Sequence, residues 1–103
     1  MNEQPFPNGK FTYIVGEYLL IADIYEGGKI TLTLHGEVIV IAKYQVTGEF
    51  FEVSDLEGSY ASPEYGVGKY KWNLVGNILT FMLIEDKNPA RQKSFAVPWH
   101  KGE

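Results

Sequence analysis

Asp86 and Arg91 sit in a polar connection, Glu85 to Lys93, and are the first residues of this chain whose types and spacing could do chemistry. Arginine presents a planar fork of donors, so Arg91 could anchor the carboxylate or phosphate of a ligand. It could equally fold across one end of the domain, its stem against Trp72 or Trp99, and bond Asp86 or backbone carbonyls. Breaking a buried pair of that kind costs ~3–5 kcal/mol, and breaking an exposed one less than ~1 kcal/mol.

Asp23 is the second candidate. It lies in Leu20-Ile21-Ala22-Asp23-Ile24, an otherwise apolar run, and shares a face with Leu19, Ile21 and Tyr25. Turned inward it needs a partner or a raised pKa and becomes a functional group; turned outward it is a surface carboxylate. Glu52, on the same face as Phe50, poses the same question. Either carboxylate, buried against a tyrosine hydroxyl, would mark an acid–base enzyme.

Aromatic residues form the third group. Tyr70 and Trp72 share a face with Leu74, and Phe81, Tyr44 and Phe51 lie in neighbouring apolar runs. They are either core or a stacking wall for a flat apolar ligand. Tyr60 and Tyr65, in a long loop, suit a lid or rim.

Other chemistries are excluded or unsupported. The chain has no cysteine, which removes disulfides, thiolate catalysis and cysteine-based zinc sites together. His35 and His100 are the only histidines and neither has a second ligand at metal spacing, so no metal is expected. Ser54, Ser59, Ser62 and Ser94 lack the strand–turn–helix setting of a nucleophile elbow. Gly66-Val67-Gly68 precedes no helical pattern and is not a phosphate loop. No cofactor is implied.

A formal charge of −4, with nine scattered basic residues, argues against nucleic acid or an anionic membrane as the partner. The start, Met1 to Pro5, has neither a basic nor an apolar leader segment, and no apolar run approaches the ~20 residues of a membrane helix. A soluble cytoplasmic protein is the expectation.

The elements that must position these residues are strands. The 103 residues are enough for one domain, 9–103, behind an extended lead-in, 1–8, that contains Pro5 and Pro7. Turn signals at Gly16-Glu17, Gly27-Gly28, His35-Gly36, Thr47-Gly48 and Gly76-Asn77 separate apolar or β-branched runs. Eight strands are expected: Lys10–Val15, Tyr18–Tyr25, Lys29–Leu34, Val38–Val46, Glu49–Val53, Val67–Asn73, Ile78–Glu85 and Ser94–Trp99. Ile30, Leu32 and Leu34 alternate with Thr31 and Thr33, and Tyr70, Trp72 and Leu74 with Lys69, Lys71 and Asn73, as half-buried strands do. Any helix should be a short turn, with Leu56–Tyr65 the best place. Tyr18–Ala22, Val38–Ala42 and Ile78–Ile84 are apolar on both faces, so either something covers the outer face or the inner one lines a ligand cavity. Eight short antiparallel strands on tight hairpins predict an all-β, up-and-down barrel, with a β-sandwich as the alternative.

Phe6-Pro7-Asn8-Gly9-Lys10-Phe11, Gly68-x-Tyr70-x-Trp72, Leu79-Thr80-Phe81, and Asp86 and Arg91 followed by Trp99 resemble a group of small bacterial lipocalin-like (calycin) proteins. The resemblance covers most of the chain and is specific in its last third. In that group a cysteine often stands where this chain has Asn88. The resemblance implies a barrel with an internal or mouth-facing pocket and implies no activity.

Three functions follow. The first is binding of a small, largely apolar ligand in the barrel mouth, with Trp72, Tyr70, Phe81, Tyr44 and Phe51 supplying surface and Arg91 or Asp23 orienting its polar end. The second is self-association, as a homodimer, through the doubly apolar strands. The third is a small acid–base enzyme.

Overall fold

The computed structural model describes residues 5–102, so the first four residues of the lead-in lie outside it. Eight antiparallel strands follow one another around a closed barrel: β1 (Gly9–Val15), β2 (Tyr18–Tyr25), β3 (Lys29–Leu34), β4 (Glu37–Thr47), β5 (Phe50–Glu57), β6 (Val67–Val75), β7 (Ile78–Glu85) and β8 (Trp99–Lys101). Each strand pairs with its neighbours in sequence, and β8 closes the wall against β1 (Phe11 opposite Lys101) and β7 (Leu79 opposite Trp99). The sandwich alternative falls away. β8 is only three residues long, so it pairs with Phe11 and Thr12 of β1 and with Ile78 and Leu79 of β7, and the closure is confined to that end of the wall.

The hairpin turns sit where glycine was expected. His35 and Gly36 both have positive φ, 53° and 79°, the backbone twist that a two-residue hairpin needs between strands. The loop between β5 and β6 holds a single 3-10 turn, Pro63–Tyr65, within the stretch expected to be helical.

The last strand is a correction. Ser94–Trp99 is not a strand: residues Pro89–Phe95 form a helix, α1, and β8 begins only at Trp99. Asn88 caps α1 by accepting a hydrogen bond from the Arg91 backbone N–H at 3.1 Å, and Pro89 sits in the first turn, where its missing N–H costs nothing. At seven residues α1 is too short to show helical periodicity, and Asn-Pro reads as a loop signal when its capping role is not recognised. β5 is also longer than expected, running on to Glu57.

Alternation sorts the side chains. Phe11, Phe51, Val53, Tyr70, Trp72, Leu79 and Trp99 point inward and are almost fully buried. Each such side chain contributes ~1.5–3 kcal/mol relative to exposure. Aromatic rings pack into the interior from both ends, the one at the α1 end covering the β5–β7 side. At one, Phe6 inserts its ring among Tyr44, Phe51, Trp72 and Phe81, with centroids 5.1–6.4 Å apart. At the other, Phe95 of α1 packs on Phe51, Tyr70 and Phe81 at 4.7–5.5 Å. No helix among the described residues is long and apolar enough to cross a membrane.

Three bulges adjust the wall, one of them on β7, where Ile84 is the extra residue between the Lys69–Glu85 and Tyr70–Leu83 pairs. On β4, Leu32 pairs with Val40 and Thr33 with Val38, so Ile39 is the extra residue and turns inward beside Val40. On β5, Leu56 is the extra residue and is exposed; the regular register before it leaves Asp55 in the inward set with Phe51 and Val53.

Gly68 is a glycine for reasons of space. A Cβ there would collide with the Asp86 carboxylate, which lies flat over the β6 backbone. Gly68→Ala is therefore expected to cost ~1–3 kcal/mol, the usual penalty of overpacking, read as a lowered midpoint in urea with an unchanged slope.

Candidate functional site

The interior of the barrel is filled unevenly. Between β1–β5 and α1 it leaves a cavity of about 270 Å³. Its wall is apolar: Leu20, Ala22 and Ile24 from β2, Ile30 and Leu32 from β3, Ile39, Val40 and Ala42 from β4, with Phe81, Phe95 and Trp99 closing the far side. The two alanines are the local cause. Ala22 and Ala42 are buried inward positions with no side chain long enough to reach the centre. The cavity opens at the α1 end, where exposed Tyr60 and Ala90 contribute to its rim. The backbone N–H of Tyr60 bonds the Ile39 carbonyl at 2.9 Å, tying the 58–62 loop to the β4 bulge.

At that same end a polar cluster joins the barrel to α1. Asp86 is fully enclosed and accepts from the Tyr70 hydroxyl, Arg91 Nε at 2.8 Å, Arg91 Nη2 at 2.7 Å and the Asn88 backbone N–H at 3.0 Å. Arg91 also donates to the Gly66 carbonyl at 3.0 Å and, from Nη1, to Asp55 at 3.3 Å. Asp55 further accepts from the Ser62 N–H at 2.9 Å and Asn88 Nδ2 at 3.4 Å. Arg91 and Phe95 lie four residues apart on one face of α1, so the ion pair and the aromatic plug dock the helix together.

The ionisation states follow from these contacts. Burial alone would raise the Asp86 pKa, but hydrogen bonds from Arg91, Tyr70 and the Asn88 backbone hold it below the usual carboxylate value. Burial, and then the Asp86 carboxylate, push the Tyr70 phenol far above its ordinary range. Burial would lower the Arg91 pKa, and its two aspartates raise it instead. Asp86 and Tyr70 are thus a buried carboxylate and hydroxyl in contact, yet locked as anion and neutral phenol, so the pair is ill-suited to shuttle a proton near neutral pH.

The residues singled out from sequence separate into three places. Phe81 and Arg91 line the cavity. Tyr70, Phe51, Trp72 and Tyr44 are inward but stand outside its lining: Phe51 and Tyr70 are sealed under Phe95, and Trp72 and Tyr44 lie around Phe6. Trp72 Nε1 donates to the Gly48 carbonyl at 2.8 Å and the Tyr44 hydroxyl to the Tyr25 carbonyl at 2.7 Å. Asp23 is turned outward and half-exposed, opposite Lys10 and Thr31, because Ala22 and Ile24 take the buried face of β2. Glu52 is likewise on the outer face, half-buried, between buried Phe51 and Val53.

Sequence reading missed Asp55, Asn88, Phe95 and Trp99 as parts of the site. For Asp55 the signal was present: Phe51, Val53 and Asp55 continue one period of two. Among the described residues no group of His, Asp or Glu gathers that could hold a metal ion. No protein-family model, curated protein or solved structure matches the chain.

Arg91→Ala removes the only cation from between two buried carboxylates. It should cost ~3–5 kcal/mol by denaturant unfolding, against less than ~1 kcal/mol for an exposed pair. Stability should also fall at both extremes of pH. Asp86 has a lowered folded pKa, so its contribution is complete above about pH 4 and is lost on acidification. Tyr70 has a raised one, so its contribution is complete below about pH 10 and is lost above it as the unfolded phenol ionises. A Tyr70→Phe variant should lose most of the alkaline limb of the stability–pH curve, part of it remaining with Tyr44, whose pKa burial also raises. It should also soften the acid limb, because the Tyr70 hydroxyl is one of the donors that hold Asp86 low.

Proposed function

We propose that this protein is a lipocalin-like (calycin) barrel that binds a small, largely apolar molecule inside the barrel, admitted at the α1 end. One observation carries the proposal: an interior that could have been filled by longer side chains at positions 22 and 42 is instead hollow, with an apolar wall and a rim at the surface. An empty apolar cavity is destabilising in proportion to its size, so its retention favours a role. By proportion with the ~150 Å³ cavity that takes up benzene, this one suits a ligand of about ten non-hydrogen atoms. The closed up-and-down wall supports the lipocalin-like reading, since eight strands enclose just enough space for one small guest.

Trp99 lines the cavity and Trp72 stands apart from it, which gives the test its internal control. 8-Bromo-1-octanol should quench tryptophan emission saturably with one-site stoichiometry. Trp99→Phe should abolish most of that response and Trp72→Phe should preserve it. Replacing Ala22 and Ala42 together by Leu should weaken binding at least about tenfold (~1.4 kcal/mol) while the protein stays folded. Absence of saturable quenching in the unmodified protein would remove the proposal.

A further inference from the structure

The polar groups at the cavity's rim discriminate between head groups, and this inference rests on the binding reading above. Arg91 looks at first like an anchor for an anionic ligand. Four of its five N–H donors, however, are committed to two carboxylates and a carbonyl, two to Asp86, one to Asp55 and one to the Gly66 carbonyl, which leaves a single Nη1 N–H and no fork for a carboxylate. An incoming carboxylate would compete with partners already buried and in place.

The two aspartates differ in what they have left. A carboxylate offers about four acceptor sites. Asp86 uses four, from Tyr70, Asn88 and Arg91 twice, and does not line the cavity. Asp55 lines it, is 7% exposed, and receives three bonds, of which those from Arg91 (3.3 Å) and Asn88 (3.4 Å) are long. Two carboxylates against one guanidinium leave the cluster with a formal charge of −1, and Asp55 is the carboxylate that reaches the hollow, beside Arg91. The nearby Ser94 hydroxyl donates to the Ala90 carbonyl and retains its acceptor capacity.

The surface around the opening has the same sign. Turns and loops at that end carry Glu17, Glu37, Glu57 and Glu64 against Lys87 and Lys93, all exposed. Such a rim raises the local concentration of cations and repels anions.

We infer that the cavity takes an amphiphilic primary amine, its alkyl or aryl body among the β2–β4 side chains and its ammonium against the free side of Asp55. The ammonium neutralises the cluster and supplies the donors Asp55 lacks. A fatty acid of equal length would add a second negative charge and leave its oxygens facing a carboxylate.

The experiment is a displacement series on the unmodified protein at pH 7: octylamine, 1-octanol and octanoate, each competing with bound 8-bromo-1-octanol. Octylamine should displace the probe at a concentration at least about tenfold below that of octanoate, with octanol between them (one factor of ten is ~1.4 kcal/mol). Raising the salt should narrow the gap between amine and octanoate. Asp55→Asn, checked for folding by its thermal transition, should bring the two within a few-fold of each other. Octanoate equal to or better than octylamine overturns the amine assignment while leaving the cavity as a binding site. An Asp55→Asn protein that is folded and keeps the full preference overturns it too. If the brominated alcohol itself fails to bind, the cavity is not a site and both readings fall.

Discussion

The Asp86 carboxylate lies over the bare backbone of Gly68 and is gripped by the guanidinium of Arg91 and the hydroxyl of Tyr70. This contact ties the helix between β7 and β8 to the start of β6 and the end of β7, which the ladder pairs with each other (Lys69 opposite Glu85) but not with the helix. Two charges removed from water repay their desolvation only when geometry is good and every remaining lone pair finds a donor. Asp86 meets that condition with four donors, and Arg91 adds Asp55 and the Gly66 carbonyl. What the pair supplies above all is position. It places α1 over one end of the barrel in one orientation, which brings Phe95 down onto Phe51, Tyr70 and Phe81. The Trp99 indole N–H, bonded to the Ser94 carbonyl at 3.0 Å, then fixes where the helix hands over to β8.

With the helix fixed, the interior divides in two. On the β5–β7 side aromatic rings fill the space: Phe51, Tyr70, Trp72 and Phe81 interlock with Phe6 from one end and Phe95 from the other. On the β2–β4 side the inward residues are aliphatic and two are alanine, so the wall stands back from the centre. The hollow is therefore a property of residue size at particular inward positions and of nothing irregular in the strands. Ile39, the extra residue of the β4 bulge, adds an apolar side chain to its lining, and the unbroken alternation Phe51, Val53, Asp55 turns the carboxylate toward it.

The barrel was legible because glycine-bounded runs of alternating apolar residues have few other ways to satisfy their backbones. The inward set of β6 could be read directly from Tyr70, Trp72 and Leu74, since lysines and Asn73 occupy the other parity. β2 offered no such contrast: Leu19, Ile21 and Tyr25 are as apolar as Leu20, Ala22 and Ile24, and Asp23 could be assigned to either face. The pairing with β1 and β3 decides it, and pairing is a long-range fact. Helix α1 was hidden for the opposite reason. Its cap and its buried Arg91 are local, but about two turns carry too few residues for a period, and Ser94 to Trp99 alternates well enough to resemble a strand. The site escaped for a third reason. A cavity is defined by side chains that are absent, and inward aromatic residues draw attention to the half of the barrel that is already full.

Phe6 gives the assembly a temporal order. Its ring is seated by residues from β4, β5, β6 and β7, all of them at least 38 positions further along the chain. On the ribosome the cork emerges before the bottle: a lead-in made first must wait, solvated, until the last third of the polypeptide has been released. β1 waits too, because its second neighbour, β8, is the last of the barrel's eight strands in chain order. Sealing of the barrel is thus deferred until Trp99 to Lys101 have left the ribosome, and a nascent chain stalled short of Trp99 holds a ribbon that has nothing to close upon.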